Sequence, residues 1–137
     1  MANTLFNLLM QDDQVRCFEN VAAHLTDGGV FLIEAFRPDF LYRLRDDQYV
    51  DAEAIEVGEV RLDVARHDPE KQLLEESHVS LSREGVRVNP IVTRYAWPSE
   101  LDLMARIAGL RLKERWGGWN LEPFDSRSRT HVSVYGR

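Results

Sequence analysis

A helical segment, a glycine pair and a short apolar segment follow one another near the start of the chain and constrain its fold most strongly. Between Asp12 and Leu25, apolar residues recur at the period of an amphipathic helix: Val15, Phe18, Val21, Ala22 and Leu25. Gly28 and Gly29 favour a turn after this helix. Residues 30–36 are rich in β-branched and aromatic side chains without alternation, which predicts a parallel strand that is covered on both faces. This order of elements indicates an α/β fold.

The middle of the chain, residues 38–95, has a different pattern. Apolar residues alternate with polar ones in three runs: Val60, Leu62 and Val64, then Val79 and Leu81, then Val86 and Val88. Residues 68–70 and 83–85 have the composition of turns between these runs. We therefore predict an antiparallel meander of about three strands, with one face in contact with water.

A second helix and two further strands are predicted after residue 95. Pro98 opens the helix, and Ser99 followed by Asp102 has the spacing of a capping box. The buried stripe of this helix and the glycine that ends it are Leu101, Met104, Ala105, Ala108 and Gly109. The two strands, which flank a predicted long loop at residues 117–129, are indicated by Leu110, Leu112 and Trp116, and by Val132 and Val134.

Composition and charge exclude several classes of protein. The 137 residues include 17 Lys and Arg against 23 Asp and Glu, a net charge of −6, so we expect no nucleic-acid partner. The longest purely apolar run, residues 30–33, is too short to span a membrane, and the start lacks the basic residues of a signal peptide. Cys17 is the only cysteine, and the four histidines show no metal-ligand spacing. We therefore expect a cytoplasmic protein with no membrane contact and no metal site.

The order of these elements resembles the C-terminal half of a class I S-adenosylmethionine-dependent methyltransferase of the bacterial small-molecule type. Four segments carry the resemblance: Asn-Thr-Leu-Phe-Asn-Leu at residues 3–8, the helix at 14–25, Gly-Gly-Val-Phe at 28–31, and Pro-Ser-Glu-Leu at 98–101 followed by Ala-Gly-Leu at 108–110. The resemblance implies a partial Rossmann-like α/β fold with an antiparallel β insertion. The single domain predicted for residues 1–137 then has methyltransferase-like parts at 1–37 and 96–137 and an insertion at 38–95.

The resemblance also implies S-adenosylmethionine as the cofactor, and it places Asn3, Thr4 and Asn7 in a loop that passes the cofactor's methyl group. Residues at a chain start can also form a frayed, solvated segment. The family's glycine-rich cofactor loop has no counterpart, because no Gly-x-Gly occurs among the 137 residues. We therefore expect a truncated product, or a misplaced start of a longer enzyme, that binds the cofactor weakly or not at all.

The predicted substrate site combines a carboxylate, an arginine and four aromatic residues: Glu34, Phe36, Arg94, Tyr95, Trp97 and Trp119. Glu34 stands at the carboxyl end of the predicted strand, the edge at which open α/β sheets bind ligands. Aromatic residues suit a flat or hydrophobic small molecule, and Arg94 suits an anionic group. The alternatives are a solvated or ion-paired glutamate, aromatic core residues and a surface arginine. No catalytic residue is predicted, because methyl transfer depends mainly on holding donor and acceptor close and dry.

Two functions from different classes remain open. One is methyl transfer to a small molecule, and the other is a non-catalytic dimeric binding or interaction module derived from a methyltransferase. The resemblance pairs strand 30–36 antiparallel with the final strand, but its other neighbour is missing, so an apolar edge would be exposed. We therefore expect a homodimer that pairs through this edge or through the meander.

Overall fold

The computed structural model describes residues 3–137, which contain two α-helices and seven β-strands. The helices are α1 (Gln11–His24) and α2 (Pro98–Ile107). The strands are β1 (Phe31–Phe36), β2 (Gln48–Glu56), β3 (Glu59–Asp68), β4 (Leu73–Ser82), β5 (Gly85–Arg94), β6 (Arg111–Trp116) and β7 (Thr130–Gly136). Among the described residues, no helix is long and apolar enough to cross a membrane. The chain forms two compact units, a first unit of Met1–Pro38 with Ala96–Arg137 and a second unit of Asp39–Tyr95.

The first unit is built on a three-stranded sheet in the order β1-β7-β6. Both neighbouring pairs are antiparallel, which confirms the predicted pairing of β1 with the final strand. Helix α1 packs on this sheet through Phe18, whose ring lies edge-on at 5.3 Å from Phe31 and 5.6 Å from Tyr135. The buried side of the helix, which also includes Ala22, follows the predicted apolar spacing.

A polar network around Arg115 joins α2 to strands β6 and β7. The Arg115 guanidinium donates to the two carboxylate oxygens of Asp102 at 2.7 and 3.2 Å, and to Ser133 Oγ at 2.8 Å. The Tyr135 hydroxyl donates to Asp102 at 2.8 Å. Burial, followed by the adjacent Asp102 carboxylate, raises the pKa of Tyr135 well above its ordinary value. Charge-assisted bidentate hydrogen bonds of this kind fix the position of both partners.

The second unit is a meander of four antiparallel strands in the order β2-β3-β4-β5. The alternating apolar residues pair across the strands as Val60 with Leu81, Leu62 with Val79, and Val79 with Val88. The sequence predicts about three strands, and the strand it misses is β2. The pairing of β2 shifts register between Ala52 and Ala54, so its side chains do not alternate regularly along the sequence.

The prediction that β1 is covered on both faces is wrong. Leu32 is 48% exposed, and Val30, which is 51% exposed, precedes the strand. Ile33 and Ala35 are buried, so burial alternates along the strand. This is the pattern of a strand that is buried on one face and only partly covered on the other.

The predicted start of the second helix is correct, but its predicted capping pair is not. Helix α2 begins at Pro98, and Glu100 Oε1 accepts a hydrogen bond from the backbone N–H of Trp97 at 3.4 Å. Ser99 therefore lies inside the first turn. The Asp102 carboxylate pairs with Arg115 and is not part of a cap.

Candidate functional site

Asn3 lies against the backbone of β1 at the carboxyl end of the strand. Its backbone N–H donates to the carbonyl oxygen of Glu34 at 2.9 Å, and its Oδ1 accepts a hydrogen bond from the backbone N–H of Phe36 at 2.9 Å. Asn3 has a φ of 60°, in the left-handed region that asparagine tolerates better than most residues. It therefore holds the start of the described chain beside this strand end.

Glu34 and Trp119 meet at the same strand end. The indole Nε1–H of Trp119 donates to Glu34 Oε2 at 2.5 Å across 85 residues of sequence. The Trp119 side chain is 60% exposed, so part of the indole faces solvent beside the carboxylate. Phe36 lies on the same face of the strand as Glu34, and its ring packs edge-on against Phe6 at 5.4 Å. We call Asn3, Glu34, Phe36 and Trp119 the β1-end site.

Arg37 positions the loop that carries Trp119. The Arg37 guanidinium donates to the carbonyl oxygens of Asp125 at 2.8 Å and Ser128 at 3.2 Å. It also lies over the Phe124 ring, 5.1 Å from the centroid. Residues 117–129, which join β6 to β7 as the predicted long loop, are thereby anchored next to the end of β1.

The β1-end site is suited to a small polar molecule. A carboxylate that already accepts one hydrogen bond keeps further lone pairs for a ligand, and an exposed indole face attracts a cation. A protonated amine satisfies both groups at once. The carboxyl end of a strand is also the place where open α/β sheets bind ligands.

The structure thus brings four predicted site residues together: Asn3, Glu34, Phe36 and Trp119. Their binding roles remain predictions. Asn3 is predicted to contact the cofactor. In the structure, its Oδ1 and its backbone N–H both form hydrogen bonds with the backbone of β1.

Three other predicted site residues also belong to the first unit. Thr4 and Asn7 are the end residues of a short 3-10 helix, and both are exposed. Leu5 and Phe6 between them are buried, so this segment is packed and not frayed. Trp97 is half-buried immediately before α2. A role for Thr4 and Asn7 at the cofactor, and for Trp97 at the substrate, stays a prediction.

Tyr95 and Arg94 belong to the second unit, and both are buried. The interpretation of Arg94 as a surface arginine is therefore wrong. The Tyr95 hydroxyl is hydrogen-bonded to His67 Nε2 at 2.8 Å and to the Tyr42 hydroxyl. Tyr95 thus takes part in a buried polar network of its own unit, and the substrate roles of both residues stay predictions.

The second unit also gathers three potential metal ligands that the sequence does not reveal. Asp63 on β3 and His78 on β4 are direct cross-strand partners, and Glu76 lies two residues before His78 on the same face. One ligand atom from each lies within 4.8 Å of the others. Burial and the neighbouring Asp63 raise the pKa of the Glu76 carboxyl. These three residues are brought together by the strand register, and no linear spacing in the sequence indicates them. The expected absence of a metal site stays a prediction.

Among the described residues, the glycine-rich loop that the family uses to hold S-adenosylmethionine has no counterpart. The glycines with positive φ, which are Gly28, Gly58, Gly85 and Gly109, are far apart in sequence and form no Gly-x-Gly loop. Backbone amides that approach a nucleotide-like ligand closely are therefore not supplied by such a loop.

Comparison with solved structures finds methyltransferases with the same fold. The CcbJ methyltransferase from Streptomyces caelestis is 42% identical, with a TM-score of 0.90, over 97% of this chain and 56% of its own. An S-adenosylmethionine-dependent methyltransferase from Clostridium acetobutylicum is 12% identical, with a TM-score of 0.79, over 97% of this chain and 54% of its own. CalS10 from Micromonospora echinaspora is an amino pentose methyltransferase whose structure has S-adenosylmethionine bound. It is 20% identical, with a TM-score of 0.64, over 98% of this chain and 55% of its own. No family model and no curated protein matches the chain.

The chain spans about half the length of each of these proteins. The match confirms the predicted partial Rossmann-like α/β fold with its antiparallel β insertion, and it confirms S-adenosylmethionine as the cofactor of the family. The chain therefore carries the fold of the C-terminal half of the small-molecule class I S-adenosylmethionine-dependent methyltransferase family.

Proposed function

We propose that the chain is the acceptor-binding half of a small-molecule methyltransferase and that it binds the methyl acceptor at the β1-end site. The hydrogen bond from Trp119 to Glu34 carries this proposal, because it unites a loop and a strand end that are 85 residues apart. A contact of this kind pre-orients the carboxylate without using all of its lone pairs. Arg37 supports the geometry by fixing the loop to the end of β1.

A small molecule with an amino group is the acceptor class that this site favours. The amine would bind in its cationic form beside the Trp119 indole and donate a hydrogen bond to the Glu34 carboxylate. Only the neutral amine has the lone pair that attacks the methyl group, so the amine would lose this proton, to the Glu34 carboxylate or to water, before transfer. Holding the acceptor in one orientation is the main contribution that such residues make to methyl transfer. The description of CalS10 as an amino pentose methyltransferase supports this class.

Titration with glucosamine, with glucose as the uncharged control, tests the proposal. We expect glucosamine to shift the NMR resonance of the Trp119 indole N–H, and we expect Glu34→Gln to weaken this binding by about tenfold. Glu19→Gln, an exposed change on α1, serves as the matched control and should leave binding unchanged. Equal binding of glucose, or an unchanged affinity in Glu34→Gln, would contradict the proposal.

The second function class, a dimeric binding module, is supported by a different observation. One side of the β2–β5 sheet carries exposed apolar residues, among them Ile55, Val86 and Val88, which a binding role would explain without any chemistry. Both functions fit a cytoplasmic protein, because the cysteine is a free thiol.

A further inference from the structure

One face of the β2–β5 sheet carries three side chains of the kinds that bind metal ions: Asp63 of β3, and Glu76 and His78 of β4. We call these residues the β3–β4 cluster. The two strands pair without a register shift, which fixes where the three side chains lie. Asp63 is the direct cross-strand partner of His78, with Cβ atoms about 5 Å apart, whereas Glu76 is at the diagonal position, about 7 Å from Asp63. The longer glutamate side chain therefore spans the longer distance, so that all three side chains reach one point.

The donor atoms of this cluster are spaced as they would be around a single ion. One donor atom from each residue lies within 4.8 Å of the other two. His78 Nε2 lies 3.6 Å from Glu76 Oε2. Two ligand atoms that are each about 2.1 Å from a tetrahedral Zn²⁺ are about 3.4 Å from one another. Small side-chain rotations therefore bring all three donor atoms into contact with one ion.

The second ring nitrogen of His78 has the kind of partner that a metal-binding histidine uses. His78 Nδ1 lies 3.6 Å from Glu53 Oε2. In the tautomer that carries its proton on Nδ1, this N–H faces the Glu53 carboxylate, and Nε2 keeps a free lone pair on the side of Glu76. Histidines that bind metals donate their other N–H to a carboxylate in this way, which fixes the ring and makes the ligand more basic. The surroundings of His78 therefore favour Nε2 as the ligand atom.

The Asp63 carboxylate has one oxygen that the protein leaves without a hydrogen bond. The Tyr49 hydroxyl donates to Oδ2 at 3.3 Å, which orients the group. Oδ1 is buried and has no hydrogen-bond partner. Burying a carboxylate oxygen without a donor costs free energy, and the nearby Glu76 carboxylate adds the repulsion of a like charge. A cation bound between the two carboxylates offsets both effects.

We propose that the β3–β4 cluster binds one Zn²⁺ ion through a carboxylate oxygen of Asp63, a carboxylate oxygen of Glu76 and Nε2 of His78. An imidazole among the ligands favours Zn²⁺ over Mg²⁺, which prefers oxygen ligands alone. Three protein ligands leave the fourth tetrahedral position to water. The strand register supports this site, although the spacing of the histidines in the sequence predicts none. The proposal is independent of acceptor binding at the β1-end site.

The site is accessible, and it exists only in the folded chain. The His78 side chain is 34% exposed, so an ion can enter from solvent. The three ligands come from two strands that are neighbours only after folding, so Zn²⁺ binds the folded chain in preference to the unfolded one. Bound Zn²⁺ therefore stabilises the sheet.

Calorimetric titration of the 137-residue chain with ZnCl₂, and separately with MgCl₂, tests the site. We expect one Zn²⁺ per chain with a dissociation constant below about 10 μM, and Mg²⁺ binding that is at least about 100-fold weaker. His78→Gln and Asp63→Asn should each weaken Zn²⁺ binding by at least about 30-fold, because each removes a ligand atom or its charge. His24→Gln, which changes an exposed histidine on α1, is the matched control and should leave the affinity unchanged.

A Zn²⁺ dissociation constant above about 100 μM, or an unchanged affinity in His78→Gln, would overturn the proposal. Loss of binding in His24→Gln would also overturn it, because the ion would then lie on α1.

Nitrogen NMR of the imidazole rings in the wild-type chain tests the ligand atom even if a variant fails to fold. We expect Zn²⁺ to shift the Nε2 resonance of His78 more than any other ring nitrogen of the four histidines. A larger shift at another histidine, or at Nδ1 of His78, would contradict the proposed ligand set.

Discussion

The sheet of the first unit is packed against α-helices, whereas the described sheet of the second unit has no α-helix within its own unit. In the first sheet, Ile33 and Ala35 are buried, and α1 contributes Phe18 to the same core. In the second sheet, Val86 and Val88 occupy equivalent alternating positions and remain exposed. Alternation thus specifies which face of a strand is apolar, and the elements packed on that face decide whether it is buried.

Charged groups differ between the two sheets in the same way. Asp102, next to the first sheet, accepts hydrogen bonds from Arg115 and Tyr135. Asp63, in the second sheet, accepts a hydrogen bond from Tyr49 at 3.3 Å, but its buried Oδ1 has no hydrogen-bond partner. A satisfied carboxylate stabilises the fold, while a partly satisfied one contributes little.

The largest effect on stability is expected when the Asp102 carboxylate is removed, and removal of the Asp63 carboxylate provides the comparison. Asp102→Ala should lower the free energy of unfolding by about 3 kcal/mol, because it leaves the Arg115 charge and the Tyr135 hydroxyl without their acceptor. Asp63→Ala should cost less than about 1 kcal/mol, because it also relieves the repulsion of Glu76. Urea unfolding of both variants measures the difference. Equal losses of unfolding free energy in the two variants would mean that the two carboxylates contribute equally to the stability of their sheets.

A smaller effect, which depends on pH, is expected at His131 in the first sheet. Burial, followed by the charge of Arg115, lowers the pKa of this histidine to about 4. The unfolded chain binds the proton near pH 6.5, so stability is complete above that pH and falls as the pH drops toward 4. The loss approaches about 3 kcal/mol.

Urea unfolding at a series of pH values, for the wild type and His131→Gln, measures this loss. The variant should lose less stability between pH 6.5 and 4 than the wild type, because it removes the group that titrates. Identical pH dependence in the two proteins would show that His131 is not the group responsible.

The helices and most strands can be predicted because their signals are local. The predicted helix between Asp12 and Leu25 differs from α1 by one residue at each end, and Pro98 marks the start of α2. These boundaries follow from apolar spacing, glycine turns and proline geometry within a few residues of sequence. The cap of α2 was predicted wrongly because Asp102, a suitable capping partner in sequence, has a stronger partner in Arg115.

The candidate site could be predicted only in part. Glu34 can be predicted as a site residue because it lies at a strand end. Its partner Trp119 is 85 residues away, and no local sequence pattern indicates that the two side chains meet. Asp63 and His78 become neighbours through the β3–β4 register, which depends on a turn. The prediction that both faces of β1 are covered is wrong because an apolar segment indicates hydrophobicity, but it does not indicate which elements pack on it.

Calorimetric titration of the 137-residue chain with S-adenosylmethionine is the most direct test of whether the chain carries the acceptor side alone. We predict no saturable binding below about 100 μM and no methyl transfer, because no Gly-x-Gly loop is present to bring backbone amides to the cofactor. A dissociation constant of about 1–5 μM, at one site per chain, would contradict this. It would mean that residues of a second copy, or of the segment before α1, complete the donor side.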